Sequence, residues 1–501
     1  MAVGEGAVPL RAVAAGALEA SGRMKYRPGT PVALTLAMIV ATSAAPAMAA
    51  DLAESAEPEI PTFVDETLRS GLDHVSTYEA TPQSPDGGWE YIVGGGLAVL
   101  DCDDDELPDL YLAGGSSPAS LYRNTSTLGG PLAFEPLESP VTDLAHVTGA
   151  YPIDVDSDGV TDLAVLRRGE NALLRGLGDC RFEGAAAELG VPGGSDWTTA
   201  FSATWEPGAA IPTMVFGNYQ ALDEDGELVP GRCAEHRLLR PTADGRGYGP
   251  VEDLGPGHCT LSMLFSDWDR SGRRDLRASN DRQYYVTAGE EQLWRMEPGV
   301  PPHAYGPDDG WGRVMLFGMG IASQDISGDG RPEVYLTSIG HNRLQALVDG
   351  ADGPEYRDIA RDVGASNGRA VAGSDTRPST SWHPEWDDVN NDGLVDLYVS
   401  KGNLDASPDN AIIDPSSLLL GSADGTFVER AAESGLANEA RARGAALVDL
   451  NLDGLLDVVE VNLGDTAEVW RNAGAGTATE PAPMGHWLAL EPAQDGPNRD
   501  A

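Results

Sequence analysis

Six stretches of the chain alternate oxygen-bearing side chains and close on an acid: DCDDDELPD (101–109), DVDSDGVTD (154–162), DWDRSGRRD (267–275), DISGDGRPE (325–333), DVNNDGLVD (388–396) and DLNLDGLLD (449–457). In a loop this tight, positions 1, 3 and 5 converge on one point, position 7 adds a main-chain carbonyl, and position 9 returns a carboxylate. That donor set suits calcium, which takes six to eight oxygens at about 2.3–2.6 Å in a flexible shell. Glycine at position 6 permits the positive φ that bends the chain.

The candidate ligands follow loop by loop. They are Asp101, Asp103, Asp105, the Leu107 carbonyl and Asp109; then Asp154, Asp156, Asp158, the Val160 carbonyl and Asp162. Next come Asp267, Asp269, Ser271, the Arg273 carbonyl and Asp275, followed by Asp325, Ser327, Asp329, the Arg331 carbonyl and Glu333. The last two sets are Asp388, Asn390, Asp392, the Leu394 carbonyl and Asp396, and Asp449, Asn451, Asp453, the Leu455 carbonyl and Asp457. Up to six Ca²⁺ sites result. The loops at 154, 388 and 449 have the full set with Gly159, Gly393 and Gly454. Ser271, Ser327 and Glu333 make those at 267 and 325 weaker, and Glu106 in place of glycine implies a strained or different turn at 101. An EF-hand needs a glutamate at position 12 and flanking helices. Five loops have Leu112, Val165, Ala278, Leu336 or Val399 there, and Glu460 of the sixth sits in the strand-like DVVEV. One such loop alone reads as well as a solvated turn; six in register argue for metal.

What must hold these loops is a repeat. Their starts are spaced 53, 113, 58, 63 and 61 residues apart, and the long interval is two periods. Within it FSATWEPGAAIPTMVFGN (201–218) parallels FSDWDRSGRRDLRASN (265–280) without the acids, a degenerate unit. Two further registers run in phase. One is LYRN (121–124), LLRG (173–176), LLRP (238–241), LWRM (293–296), RLQA (343–346), LLLG (418–421) and VWRN (469–472). The other is an aromatic followed by a turn glycine, as in FVDETLRSGL (63–72), FEGAAAELGV (182–191), YRDIARDVGA (356–365) and FVERAAESGL (427–436). Short apolar runs flank most loops, which makes each a β-hairpin. Units of this length with a few short strands match propeller blades, so the expected fold is all-β, a seven-bladed β-propeller over 63–472 with calcium-binding hairpin loops.

The chain has 33 basic and 79 acidic residues, a net charge of −46. Such a surface repels nucleic acid and anionic lipid, and no apolar run after residue 50 reaches membrane-spanning length. Residues 1–49 read as a signal peptide, with a basic region at Met24–Arg27, the apolar PVALTLAMIVATSAAP and a small-residue site at Ala47-Met48-Ala49; Met24 is an alternative start. Export implies a secreted, periplasmic or cell-surface protein and disulfides among Cys102, Cys180, Cys233 and Cys259. Cys233 with Cys259, both in one inter-motif segment, is the preferred pair, which leaves Cys102 with Cys180. Residues 50–62 and 473–484 read as linkers.

The DxDxDG loops followed by DLxV strands resemble the FG-GAP or VCBS repeats of integrin-α-type propellers. FVDETLRSGLDH and GGGLAVLDCDDDELPDLYLAGG near the start, LYRN, and GHWLALEPAQDGPNRDA (485–501) resemble the cartilage acidic protein (ASPIC/UnbV) family. That resemblance implies an exported calcium-binding propeller of binding or adhesive type, with 485–501 as the start of a truncated ASPIC/UnbV-like domain. The expected function is a binding or adhesion module for an extracellular protein or glycan, with no nucleic acid partner and no membrane span. The alternatives are a propeller-based polysaccharide lyase or glycosidase and a purely structural component. No HExxH, GxSxG or phosphate-cradling glycine loop is present, so no enzyme is expected. His383 in SWHPEW (381–386), between Trp382 and Trp386, reads either as blade packing or as part of a ligand site.

Overall fold

In the computed structural model the described residues are 58–78, 92–281, 289–366, 376–404 and 408–492, together with the backbone of Leu10–Ala14. Seven antiparallel sheets follow one another along the chain. The first blade is Leu97–Leu100, Asp109–Leu112, Ser120–Asn124 and Phe134–Leu137. The second is Val147–Ile153, Asp162–Arg167, Ala172–Gly176 and Phe182–Gly184. The degenerate unit forms a third, three-stranded blade of Thr198–Thr204, Thr213–Asn218 and Arg237–Leu239, with a side hairpin of Gln220–Leu222 and Leu228–Cys233. Blades four to six begin at Thr260–Ser266, Gly318–Gln324 and Ser381–Asp387. The seventh takes Ala442–Val448, Asp457–Asn462 and Glu468–Asn472 and receives Phe63–Asp65 as its outer strand. One sheet thus contains both ends of the ring, so opening the ring requires breaking strand pairing.

Every second strand is buried on both faces, because each blade is covered by its two neighbours. Period-two alternation then sends successive side chains to opposite blades. Tyr111 packs with Leu163 and Val165 of blade two, whereas Leu110 and Leu112 pack with Val459 and Val461 of blade seven. The same seam recurs as Leu397 and Val399 against Tyr335, and as Tyr398 and Leu418 against Val458 and Trp470.

The aromatic-to-glycine register is an outer strand followed by one helical turn. Thr67–Ser70, Ala186–Leu189 and Ala431–Ser434 end on Gly71, Gly190 and Gly435, all with left-handed φ. Both disulfides form: Cys102–Cys180 ties blade one to blade two, and Cys233–Cys259 ties the side hairpin to blade four. Outside the ring Leu10–Ala14 pairs antiparallel with Leu488–Pro492. Cleavage after Ala49 would remove the first strand of that ribbon. Met24, the cleavage site itself and residues 493–501 of the expected C-terminal segment lie outside the described residues. No helix among the described residues is long and apolar enough to cross a membrane.

Candidate metal centre

All six acidic stretches join the first and second strands of a blade, so they lie on one face of the ring. Their turns share one geometry. Position 6 is left-handed in every loop, with φ of 82° at Gly159, 81° at Gly272, 87° at Gly330, 85° at Gly393 and 84° at Gly454. Glu106 adopts 75° at the same place, so the loop at 101 has the same turn, and a glutamate bears its strain. Position 4 is left-handed as well, from Asp104 to Leu452.

The position 1 carboxylate organises the turn. Asp154 accepts the N–H groups of Asp158 and Gly159 at 3.1 and 3.0 Å, and Asp388 those of Asp392 and Gly393 at 3.1 and 2.8 Å. Asp101 and Asp449 do the same. Position 5 then accepts the N–H of position 7, as Asp105 does from Leu107, Asp158 from Val160, Asp392 from Leu394 and Asp453 from Leu455. Ser271 and Asp329 make the equivalent bonds with Arg273 and Arg331.

Carboxylate oxygens of Asp101, Asp103 and Asp109 come within 4.8 Å of one another, as do those of Asp154, Asp156 and Asp162. Cys102 and Cys180 also approach Asp109, but their sulfurs are joined as a disulfide and offer no thiolate. Burial holds the carboxyls above their usual range: Asp109 and Asp449 at about 6, Asp162 at about 7 and Asp396 at about 8. The other loop acids add to this by repulsion, and a divalent cation would relieve both the burial cost and the repulsion. One oxygen each of Asp103, Asp156, Asp267 and Asp325 is buried without a hydrogen-bond partner among the described residues.

Position 9 has a second role that the spacing did not announce. Asp457 accepts the N–H of Leu450 at 3.0 Å on one oxygen and that of Asn472 at 2.8 Å on the other. Asp109 bridges Cys102 and Asn124, Asp162 bridges Val155 and Gly176, and Asp396 bridges Val389 and Gly421 in the same way. Each carboxylate therefore fastens its own loop to the third strand of its blade. The donors on that strand are the last residues of LYRN, LLRG, LLLG and VWRN, which explains why that register keeps phase with the loops.

The arginine of the same register was the missed functional residue. Arg123 Nε lies 2.8 Å from Asp103, and Arg175 Nε lies 2.5 Å from Asp156, so in blades one and two a guanidinium meets the position 3 acid. In the loop at 267, Arg273 of position 7 pairs with Asp275 at 2.7 Å, and in the loop at 325, Arg331 pairs with Asp329 at 2.7 Å. Blade six has Leu420 at the register position. In blade seven Arg471 turns to the buried Glu66 at 3.0 Å. Among the described residues the loops at 388 and 449, with Asn390 and Asn451 at position 3, thus have no arginine ion-paired with their acids, although Arg471 still acts on Asp453 through space.

SWHPEW divides between packing and the ring's axis. Trp386 packs on Tyr335 at 5.8 Å between blades five and six. Trp382 and His383 line a cavity of about 160 Å³ along the axis, where Arg443 stacks on Trp382 at 4.2 Å. Glu460, the lone acid at a position 12, is away from its loop, in a polar seam with Ser416 and Asn438.

A comparison with protein families agrees with this architecture. A family described as FG-GAP-like repeat matches residues 388–460, which contain the loops at 388 and 449. No curated protein matches the chain significantly. Similar solved structures include BBS1N in complex with ARL6DN from a lead-soaked crystal, at 8% identity and a TM-score of 0.43, covering 80% of this chain and 96% of that one. The mercury-soaked counterpart gives 9% identity, a TM-score of 0.44 and coverage of 82% and 97%. Likeness at that level bears on neither function nor partner.

Proposed function

From an FG-GAP-like repeat set in a seven-bladed propeller, we propose that this chain is an exported, calcium-stabilised binding or adhesion module for an extracellular protein or glycan, with no reaction of its own. The observation that carries the metal part is the set of buried, partnerless carboxylate oxygens on Asp103, Asp156, Asp267 and Asp325. An ionised oxygen buried without a donor is costly, and a bound cation supplies what it lacks. The ligands proposed are the side chains at positions 1, 3, 5 and 9 and the position 7 carbonyls of the six loops, with those at 388 and 449 the strongest because, among the described residues, no arginine is ion-paired with their acids. The two disulfides support an oxidising compartment. The sequence likeness of FVDETLRSGLDH and GHWLALEPAQDGPNRDA supports membership of the ASPIC/UnbV group.

Thermal melting of residues 50–501 in millimolar calcium and in excess EDTA, with metal content determined in parallel, tests the reading. At ten times the dissociation constant each site adds about 1.4 kcal/mol, so several filled sites raise the melting temperature markedly. Equal melting in both buffers and no bound metal would overturn it. A screen for release of product from acidic polysaccharides separates the module from a lyase or glycosidase.

A further inference from the structure

The third blade has lost the acids of its loop, and what replaced them forms a pocket. Strand pairing sets Thr204 opposite Thr213 and Ser266 opposite Asp275, so Trp205 stands where Asp267 stands in the next blade and Pro207 where Asp269 stands. Trp205, Pro207, Phe265, Met296 and Pro298 wall a cavity of about 180 Å³ between blades three and four, with Arg273 and Arg274 at its side. A cavity of about 150 Å³ suffices for benzene, so this one admits a single ring-sized group.

The polar groups around it are unequally engaged. Arg240 is buried and fixes the rim, bonding Glu206 at 2.6 Å, Glu252 at 2.8 Å and the carbonyls of Val300 and Glu297 at 2.8 and 3.1 Å. Arg240 is shared between Glu206 and Glu252, so it offsets only part of their charge. Arg273 is committed to Asp275, Asp269 and Tyr305. Arg274, by contrast, is exposed, and among the described residues its side chain has neither an ion pair nor a hydrogen bond. The Nε1–H of Trp205 is buried and has no acceptor among the described residues.

We propose that this pocket is a binding site for a carboxylate borne on a ring-sized apolar group, either a free aromatic acid or the C-terminal residue of a peptide. The apolar walls take the ring, Arg274 takes the carboxylate, and the Trp205 indole donates to an oxygen of the ligand. A sugar ring fits less well, because its hydroxyls need more free polar partners than these walls offer. On a face otherwise built from carboxylate loops, the blade that cannot hold a cation thus accepts an anion. The site goes beyond the metal reading and does not depend on it.

The test is calorimetric titration of the full chain with phenylacetate, its neutral analogue phenylacetamide, and peptides ending in phenylalanine with a free or an amidated terminus, each in calcium and in EDTA. Phenylacetate or the free-ended peptide should bind, with the neutral partner at least about tenfold weaker, as expected for loss of a charge-assisted bond. Tighter binding of the peptide identifies a chain end as the source; tighter binding of phenylacetate identifies a free acid. Arg274→Gln, an exposed change that leaves folding intact, should weaken binding about tenfold, and Trp205→Phe should weaken it further. Overturning results are no binding of any probe, equal binding of acid and amide, or an unaltered affinity in Arg274→Gln. Since the loops can fail to bind calcium while this pocket still binds acid, the two readings fail separately.

Discussion

A Cβ built on Gly435 would lie 2.8 Å from the carbonyl oxygen of Phe63, and Gly435 has φ of 94°. The contact crosses from the turn after blade six to the strand that closes blade seven. Gly71 meets the Phe134 carbonyl and Gly364 the Phe427 carbonyl in the same way, each at 2.6 Å. The turn glycine of one blade is therefore seated on the outer strand of the next. Gly435→Ala combines left-handed strain with a clash against main chain, and should cost about 2–4 kcal/mol. A chemical denaturation curve measures it, and a variant as stable as the parent would show that the seam yields.

Arg123 and Arg175 make a second prediction, about selectivity within the loops. A guanidinium on the position 3 acid would have to be displaced or tolerated on entry of the proposed calcium. Arg123→Gln should therefore tighten calcium binding at the loop of Asp101–Asp109 severalfold, while the metal-free chain loses no more than about 1 kcal/mol from a partly exposed pair. Calcium titration of the variant decides. Unchanged or weaker binding would mean that Arg123 positions Asp103 rather than competing for it.

The ring was legible in the sequence because three registers reported it independently, and each now has a structural cause. The loops are the first turns, the LYRN-type motif is the third strand, and the aromatic-to-glycine motif is the outer strand with its helical turn. The degenerate unit was recognisable from its period, but matching Phe201 to Phe265 set it two residues out, because strand pairing makes Met263 the counterpart of Phe201. What spacing could not reveal was partnership. That Asp109, Asp162, Asp396 and Asp457 each clamp a strand depends on N–H groups, which every residue but proline carries, so no side-chain pattern marks them. That Arg123 reaches Asp103 whereas Arg471 turns away depends on Glu66, some 400 residues earlier in the chain, arriving beside Arg471 only when the ring closes.

The seam between blades six and seven predicts a pH dependence. Asn438 donates at 2.8 Å to both Glu460 and Glu468, and Asn462 donates to Glu468 at 2.8 Å. Burial pushes both carboxyls up to about 7. Asp65 and Asp465 also repel Glu468. The unfolded chain releases these protons near the ordinary glutamate range, below the folded chain, so stability falls as pH rises from about 4.5 to 7 and levels beyond it. In Glu460→Gln that group's share of the slope disappears, and the variant should melt above the parent at pH 8. Melting both proteins across this range in EDTA isolates the effect, because the loop acids titrate alike in the two. Parallel curves would remove Glu460 from the account.

Asp457 and Asp453 separate the two tasks a loop acid can have. Asp457 is fully buried and uses both oxygens to accept main-chain N–H groups, which an amide cannot do, since its NH₂ would face a donor. Asp457→Asn should therefore destabilise the protein by about 2–4 kcal/mol whether or not metal is present, as expected for a buried group turned against its partner. Among the described residues Asp453 instead bonds within its own turn, to the N–H of Leu455 at 3.0 Å and to the Asn451 side chain. Asp453→Asn retains that acceptor and removes a charge facing the metal. Its loss should appear in calcium and vanish in EDTA. Denaturation of both variants in both buffers gives four numbers, and the sign of the difference assigns the roles. If Asp453→Asn were as damaging in EDTA as Asp457→Asn, position 5 would be part of the scaffold, and the calcium shell at the loop of Asp449–Asp457 would have to form without it.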